Sequence, residues 1–148
     1  MKTSSEFRID PGHLDLDGVQ GELEVVVPYT GPASTQAALE RAQALTAGLN
    51  ARVLLIAVHA LPYPLPFVCP TMVHAHLVEQ LVELASHCPL PVSPQVVLAR
   101  DLQEGFRYAL KPASTVLVAT GRHFWRTQEE KLARSLARDG HKVALVYI

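Results

Sequence analysis

Basic and aromatic side chains are concentrated in residues 120–127, which read Thr-Gly-Arg-His-Phe-Trp-Arg-Thr. An apolar run, Val-Leu-Val-Ala, precedes this segment and predicts a buried strand, whereas the residues after it predict a helix. A strand that leads into a helix through a glycine is a common place for α/β proteins to hold an anion. Arg122, His123 and Arg126 would contact a phosphate or a carboxylate. Trp125 would stack on a planar base.

The elements that would position this segment follow an alternating pattern along the chain. Strands are predicted at residues 23–28, 52–59, 95–99, 115–120 and 142–148. Helices are predicted between them at residues 34–49, 72–87, 102–110 and 127–138. This alternation predicts one α/β domain over residues 23–148, with a parallel sheet, right-handed crossovers and helices on both faces.

Two of the predicted helices begin with a capping box, in which a side chain at the first position accepts from the backbone N–H three residues later. Asp101 and Glu104 form one such pair, and Thr127 and Glu130 form the other. The second pair places a helix N-terminus, with its partial positive charge, directly after the basic segment.

The composition limits the function classes. A chain of 148 residues with 49% hydrophobic residues and a formal net charge of −1 predicts one folded domain and argues against non-specific nucleic-acid binding. The apolar runs are too short to span a membrane, and the polar start lacks a secretory signal, so a cytoplasmic protein with reduced Cys69 and Cys88 is expected. Residues 1–22 predict a flexible acidic extension, in which residues 13–17 alternate like a short edge strand.

Catalytic and metal-binding patterns are missing from the sequence. It contains no P-loop, no G-x-G-x-x-G and no G-x-S-x-G, so we expect no enzyme. His74 and His76 are two residues apart on a predicted helix and would point to different sides, and the two cysteines lack a zinc-ligand spacing, so we expect no metal site.

The apolar pattern resembles the universal stress protein (UspA-like) family over residues 23–148. The resemblance rests on Glu-Val-Val-Val-Pro at residues 24–28, on Ala-Arg-Val-Leu-Leu-Ile-Ala-Val-His at residues 51–59 and on the closing strand, from Lys142 to Ile148. It implies a three-layer, adenine nucleotide alpha hydrolase-like sandwich with a five-stranded parallel sheet of order 3-2-1-4-5. It also implies a homodimer through that closing strand, and ATP binding in many members.

The chain departs from the ATP-binding members at two places. Thr30 stands where those members carry an acidic residue after the first strand. After the fourth strand Gly121 matches their glycine motif, but Phe124 stands in place of the second glycine and Leu136 lies where the later Gly-Ser would be. The closer resemblance is to a divergent subgroup without the glycine motif, in which ATP or another adenine nucleotide remains an open ligand.

The implied strand order places two loops beside each other, because the first and fourth strands are neighbours at the topological switch point of the sheet. Ligands of open α/β sheets bind outside the carboxyl ends of strands at such a point. The candidate site therefore adds Tyr29 and Thr30 from the first loop to the second-loop residues: Gly121, Arg122, His123, Trp125, Arg126 and Thr127.

We expect a non-enzymatic stress-response or regulatory protein that dimerises and binds a nucleotide or small anion weakly. One alternative is a protein-interaction module without a ligand site, for which the proline-rich loop from Tyr63 to Phe67 would supply a rigid partner contact. The other is a nucleotide hydrolase.

Overall fold

The computed structural model describes residues 9–11, 23–68, 70–121 and 127–148. Within these residues the strands are β1 (Ile9–Pro11), β2 (Leu23–Pro28), β3 (Ala51–Ala60), β4 (Val92–Ala99), β5 (Thr115–Thr120) and β6 (Lys142–Tyr147). The helices are α1 (Pro32–Leu45), α2 (Thr71–Ser86), α3 (Leu102–Ala109) and α4 (Gln128–Arg138).

The strands form one parallel sheet in the order β1-β6-β5-β2-β3-β4. The five strands predicted from the sequence take the order 3-2-1-4-5 within it, which confirms the expected fold class. A further short strand, β1, pairs with Val143–Leu145 of β6 and lies at that edge of the sheet. The candidate strand at residues 13–17 lies outside the described residues.

Two apolar cores cover the two faces of the sheet, because alternate residues of each buried strand point in opposite directions. Val25 and Val27 of β2 belong to the core beneath α1 and α2, together with Leu39 and Leu81. The intervening Val26 belongs to the core beneath α3 and α4. The central strands are thus apolar on both faces, as expected of a parallel sheet between two helical layers.

Several boundaries differ from those predicted. Helix α1 begins earlier, at Pro32, since proline is well suited to the first helical position, and it ends at Leu45 rather than at residue 49. The Thr46 side chain donates to the Ala42 carbonyl there, and Gly48 follows with φ 83°. Strand β4 begins at Val92 and includes Pro94, which an edge strand tolerates because one side of it needs no ladder hydrogen bonds.

Both capping boxes are confirmed. The Asp101 carboxylate accepts from the Glu104 backbone N–H at 2.8 Å, and Glu104 accepts in turn from the backbone N–H of Arg100 at 2.8 Å. The Thr127 hydroxyl accepts from the Glu130 N–H at 3.1 Å. In the described part of the chain, no helix has both the length and the apolar character that a membrane crossing requires.

Candidate functional site

The candidate site lies where β2 and β5 run side by side at the centre of the sheet. Their pairing aligns Val25 with Thr115 and Val26 with Val116. From β2 the chain passes through α1 to β3 on one side, whereas from β5 it passes through α4 to β6 on the other. The two connections diverge, which places the switch point of the sheet at the carboxyl ends of β2 and β5, where open α/β sheets bind ligands.

Hydroxyl groups hold the first of the two bordering loops. The Thr30 backbone N–H donates to the Thr35 hydroxyl at 2.9 Å, and the Thr30 and Ser34 hydroxyl oxygens are 2.8 Å apart. The Ser34 hydroxyl donates to the Thr30 carbonyl at 3.1 Å, so the Thr30 hydroxyl is the donor to Ser34. Gly31 makes the turn into α1 with φ 116°, a conformation that disfavours other residues. Thr30 therefore supplies a neutral hydroxyl where the ATP-binding members of the family that the sequence resembles carry an acid.

Tyr29, which directly follows β2, is held in place by hydrogen bonds and by packing. Its backbone N–H donates to the Ile56 carbonyl at 2.7 Å, and its hydroxyl donates to Gln80 Oε1 of α2 at 3.2 Å. The ring is partly buried against the core beneath α1 and α2, and this burial raises the pKa of the phenol. The side chain is thereby directed toward α2 and packed in place.

A chain of side-chain hydrogen bonds connects the end of β5 to the start of α4. Thr120 is buried, its hydroxyl lies 2.6 Å from the Thr127 hydroxyl, and it donates to Glu129 Oε1 at 3.1 Å. Since Thr120 has only one hydroxyl proton, Thr127 donates to Thr120 while accepting from the Glu130 N–H. The donors therefore run in one direction, from the backbone of Glu130 to the carboxylate of Glu129, and each bond polarises the next.

Glu129 is the residue of this site that the sequence interpretation missed. Two acidic residues in the first turn of α4, Glu129 and Glu130, offset the partial positive charge of the helix N-terminus. A phosphate placed against this terminus would meet the Glu129 carboxylate, which is a like charge. One local pattern could have identified Glu129: it lies two residues after Thr127, the N-cap of the helix that follows a strand ending in threonine.

The other predicted site residues are distributed as follows. Gly121 is half-buried directly after β5, and Thr127 is the N-cap of α4. Arg122, His123, Trp125 and Arg126 lie outside the described residues, as does Phe124, so their roles remain predictions.

Among the described residues, no three His, Cys, Asp or Glu side chains come together in a way that would hold a metal ion. His74 and His76 are exposed on the first turns of α2.

A parallel sheet between two helical layers, with its switch point between β2 and β5, defines the class as a three-layer α/β protein. No protein-family model matches the chain, and no curated protein matches its sequence. The structure is similar to a crystal structure of a universal stress protein in complex with cAMP, with a TM-score of 0.50 and 16% sequence identity. The match covers 84% of this chain and 96% of that chain. The chain therefore has the fold of a universal stress protein, as the resemblance implied.

Proposed function

We propose that this chain is a non-enzymatic regulatory protein of the universal-stress type. In this proposal it binds an adenine nucleotide, or another small anion, weakly at the switch point, beyond the carboxyl ends of β2 and β5. The observation that carries the proposal is that neighbouring strands lead directly into polar residues at the switch point, Thr30 after β2 and Thr120 at the end of β5. The structural similarity to a protein that holds cAMP supports the choice of an adenine nucleotide.

The charges of the described residues bear on which nucleotide would fit. The Glu129 carboxylate lies at the start of α4, and the first loop offers hydroxyls in place of a charged group. Positive charge for a phosphate would come from Arg122 and Arg126, through bidentate hydrogen bonds. A ligand with a single phosphate group meets less repulsion from Glu129 than a triphosphate does, so we expect cAMP and AMP to bind at least as well as ATP.

Thermal unfolding with and without ligand tests the proposal. We expect cAMP or AMP at millimolar concentration to raise the Tm, since a ligand that binds only the folded state stabilises it. The double variant Arg122→Ala and Arg126→Ala should abolish the shift. Lys131→Ala with Arg134→Ala is the matched control, because it also removes two positive charges, from exposed positions on α4, and should retain the shift.

Three results would contradict parts of the proposal. No change in Tm with cAMP, AMP, ATP or inorganic phosphate would refute binding at this site. A shift that survives loss of both arginines but disappears in the α4 control would place the ligand elsewhere. Release of phosphate from ATP and Mg²⁺ would show a nucleotide hydrolase and refute the non-enzymatic assignment.

A further inference from the structure

An apolar surface is formed by the loop after β3 and the first turns of α2, which we call the loop–helix surface. Its large side chains include Tyr63 and Met72, which are 78% and 85% exposed. The other members are at least 43% exposed and are Leu65, Phe67, Val68 and Val73. At roughly 100 Å² of exposed area for each such side chain, the surface amounts to about 600 Å², the upper end for the largest apolar patch of a monomer.

Arg100, which follows β4, holds the loop part of this surface in one conformation. One guanidinium nitrogen donates to the Leu61 carbonyl at 3.1 Å and to the Leu65 carbonyl at 2.7 Å. The guanidinium carbon lies 4.1 Å from the centroid of the Tyr63 ring and 4.8 Å from that of Phe67, which are cation–π distances. The two rings are thus fixed before any partner arrives, which lowers the entropy lost on binding.

Helix α2 contributes the other part because its first turns do not pack on the sheet. Residues 71–76 are all exposed, whereas Leu81 and Leu84 near the other end are buried. Met72 and Val73 therefore lie in solvent next to the loop, within ten residues of Tyr63 along the chain. An apolar helix end without a packing partner is the kind of surface that associating proteins cover.

The charge pattern and the area favour a second copy of the same chain as the partner. Residues 53–78 contain no Asp, Glu, Lys or Arg. Arg100 brings a positive charge to this surface, but its guanidinium is engaged by the carbonyls and rings of its own copy, so two identical surfaces would meet through largely uncharged side chains. A two-fold interface requires this self-complementarity, since each patch contacts itself. The exposed area approaches the roughly 800 Å² per partner of a standard interface, and Tyr and Met are residues enriched in such interfaces.

The position of β1 favours the loop–helix surface as the dimer interface over the closing strand, which the family resemblance implies. A dimer through the closing strand would need the free edge of β6, but β1 already pairs with Val143–Leu145 at that edge. A second copy could add a strand there only after displacing β1. The loop–helix surface belongs to the connection between β3 and β4, the two strands at the other edge of the sheet.

We propose that this chain forms a two-fold dimer in which the loop–helix surface of one copy packs against that of the other. The aromatic rings held by Arg100 and the exposed Met72 are the central contacts. This inference does not depend on the nucleotide site.

Sedimentation equilibrium of the full chain tests the dimer. We expect a mass near twice 16.2 kDa for the unchanged protein. The double variant Tyr63→Ser and Met72→Gln should weaken the dimer at least ~100-fold, because it removes two large side chains that the dimer would bury. The matched control is Tyr108→Ser with Leu49→Gln, which changes an equally exposed tyrosine on α3 and an exposed leucine far from the surface and should leave the mass unchanged.

The outcomes separate the dimer from its competitors. A dimer that persists in the Tyr63→Ser and Met72→Gln variant would place the interface elsewhere, including the β6 edge, and would refute the proposal. A monomer at high concentration would refute it as well. If that monomer cosedimented with phosphatidylcholine vesicles, the surface would be assigned to lipid. The nucleotide-dependent Tm shift of the unchanged protein is measured separately, so failure of one proposal leaves the other testable.

Discussion

Replacing Gly105 by alanine tests how closely α3 packs on the sheet. Gly105 is buried in the middle of α3, and a Cβ added there would lie 2.5 Å from Val58 Cγ1, 2.8 Å from Cγ2 and 3.2 Å from Cβ. Ordinary carbon contacts are about 3.5–4.0 Å, so either Val58 or the helix must move. Val58 belongs to a central stretch of β3, and a β-branched side chain has few alternative rotamers.

Two opposing effects determine the size of the change. Alanine is favoured over glycine inside a helix by up to ~1 kcal/mol. Overpacking a close contact costs about 1–3 kcal/mol, and three contacts inside normal separation place this case near the upper end. The helix cannot simply lift away, because Phe106 beside Gly105 is fully buried in the core beneath α3 and α4. We therefore expect Gly105→Ala to lower the free energy of unfolding by about 1–2 kcal/mol.

Urea unfolding of four proteins measures this coupling: the unchanged chain, Gly105→Ala, Val58→Ala and the double variant. Val58→Ala removes the methyl groups that the new Cβ would contact. The decrease in the free energy of unfolding of the double variant should therefore be at least ~1 kcal/mol smaller than the sum of the decreases in the two single variants. If Gly105→Ala stabilised the protein by the helix-propensity amount, or if the two changes were additive, the close approach of α3 to β3 would be refuted.

Two further predictions concern groups at helix ends and loops. Burial lowers the pKa of His141, with nearby Asp139 opposing in part, and its Nδ1 accepts from the Ser114 backbone N–H at 3.1 Å. Because its pKa is lower in the folded state, His141 binds a proton more readily in the unfolded chain. The free energy of unfolding should therefore be unaffected by this group above about pH 6.5 and should decrease as the pH falls below that value. His141→Asn should make the free energy of unfolding less dependent on pH in this range. Thr127→Ala should lower the free energy of unfolding, measured in urea, by about 1 kcal/mol because the α4 cap is lost. Thr127→Ser keeps the hydroxyl and should retain most of that stability. An equal decrease in both variants would show that the hydroxyl does not provide the stabilisation.

The central part of the fold follows from local sequence. Strands β2 and β5 were predicted at their observed bounds, because both are short apolar runs with clear ends. Both capping boxes formed as predicted, since a cap depends only on residues within one helical turn. Such features need no knowledge of distant contacts, which is why one sequence suffices for them.

Features that depend on distant partners were not predictable in the same way. Ile9–Pro11 has no alternating pattern of its own, and it becomes a strand because the edge of β6 offers hydrogen-bonding groups. Arg100 likewise gave no local signal for its role, since its carbonyl and ring partners lie more than thirty residues earlier in the chain. Pattern analysis detects the exposed prolines and aromatics of that loop but not the side chain that organises them.

The candidate site combines both kinds of information. Its position at the β2–β5 switch point follows from strand order, and Thr127 follows from a local capping pattern. The bond from Thr120 to Glu129 required the actual approach of β5 to α4, and it changes the expected electrostatics at the start of that helix. An N-terminus already opposed by a carboxylate disfavours a polyphosphate there, because an incoming anion must be compensated by other cations. We therefore expect the proposed nucleotide binding to depend on Arg122 and Arg126 more than on Gly121 or the helix end.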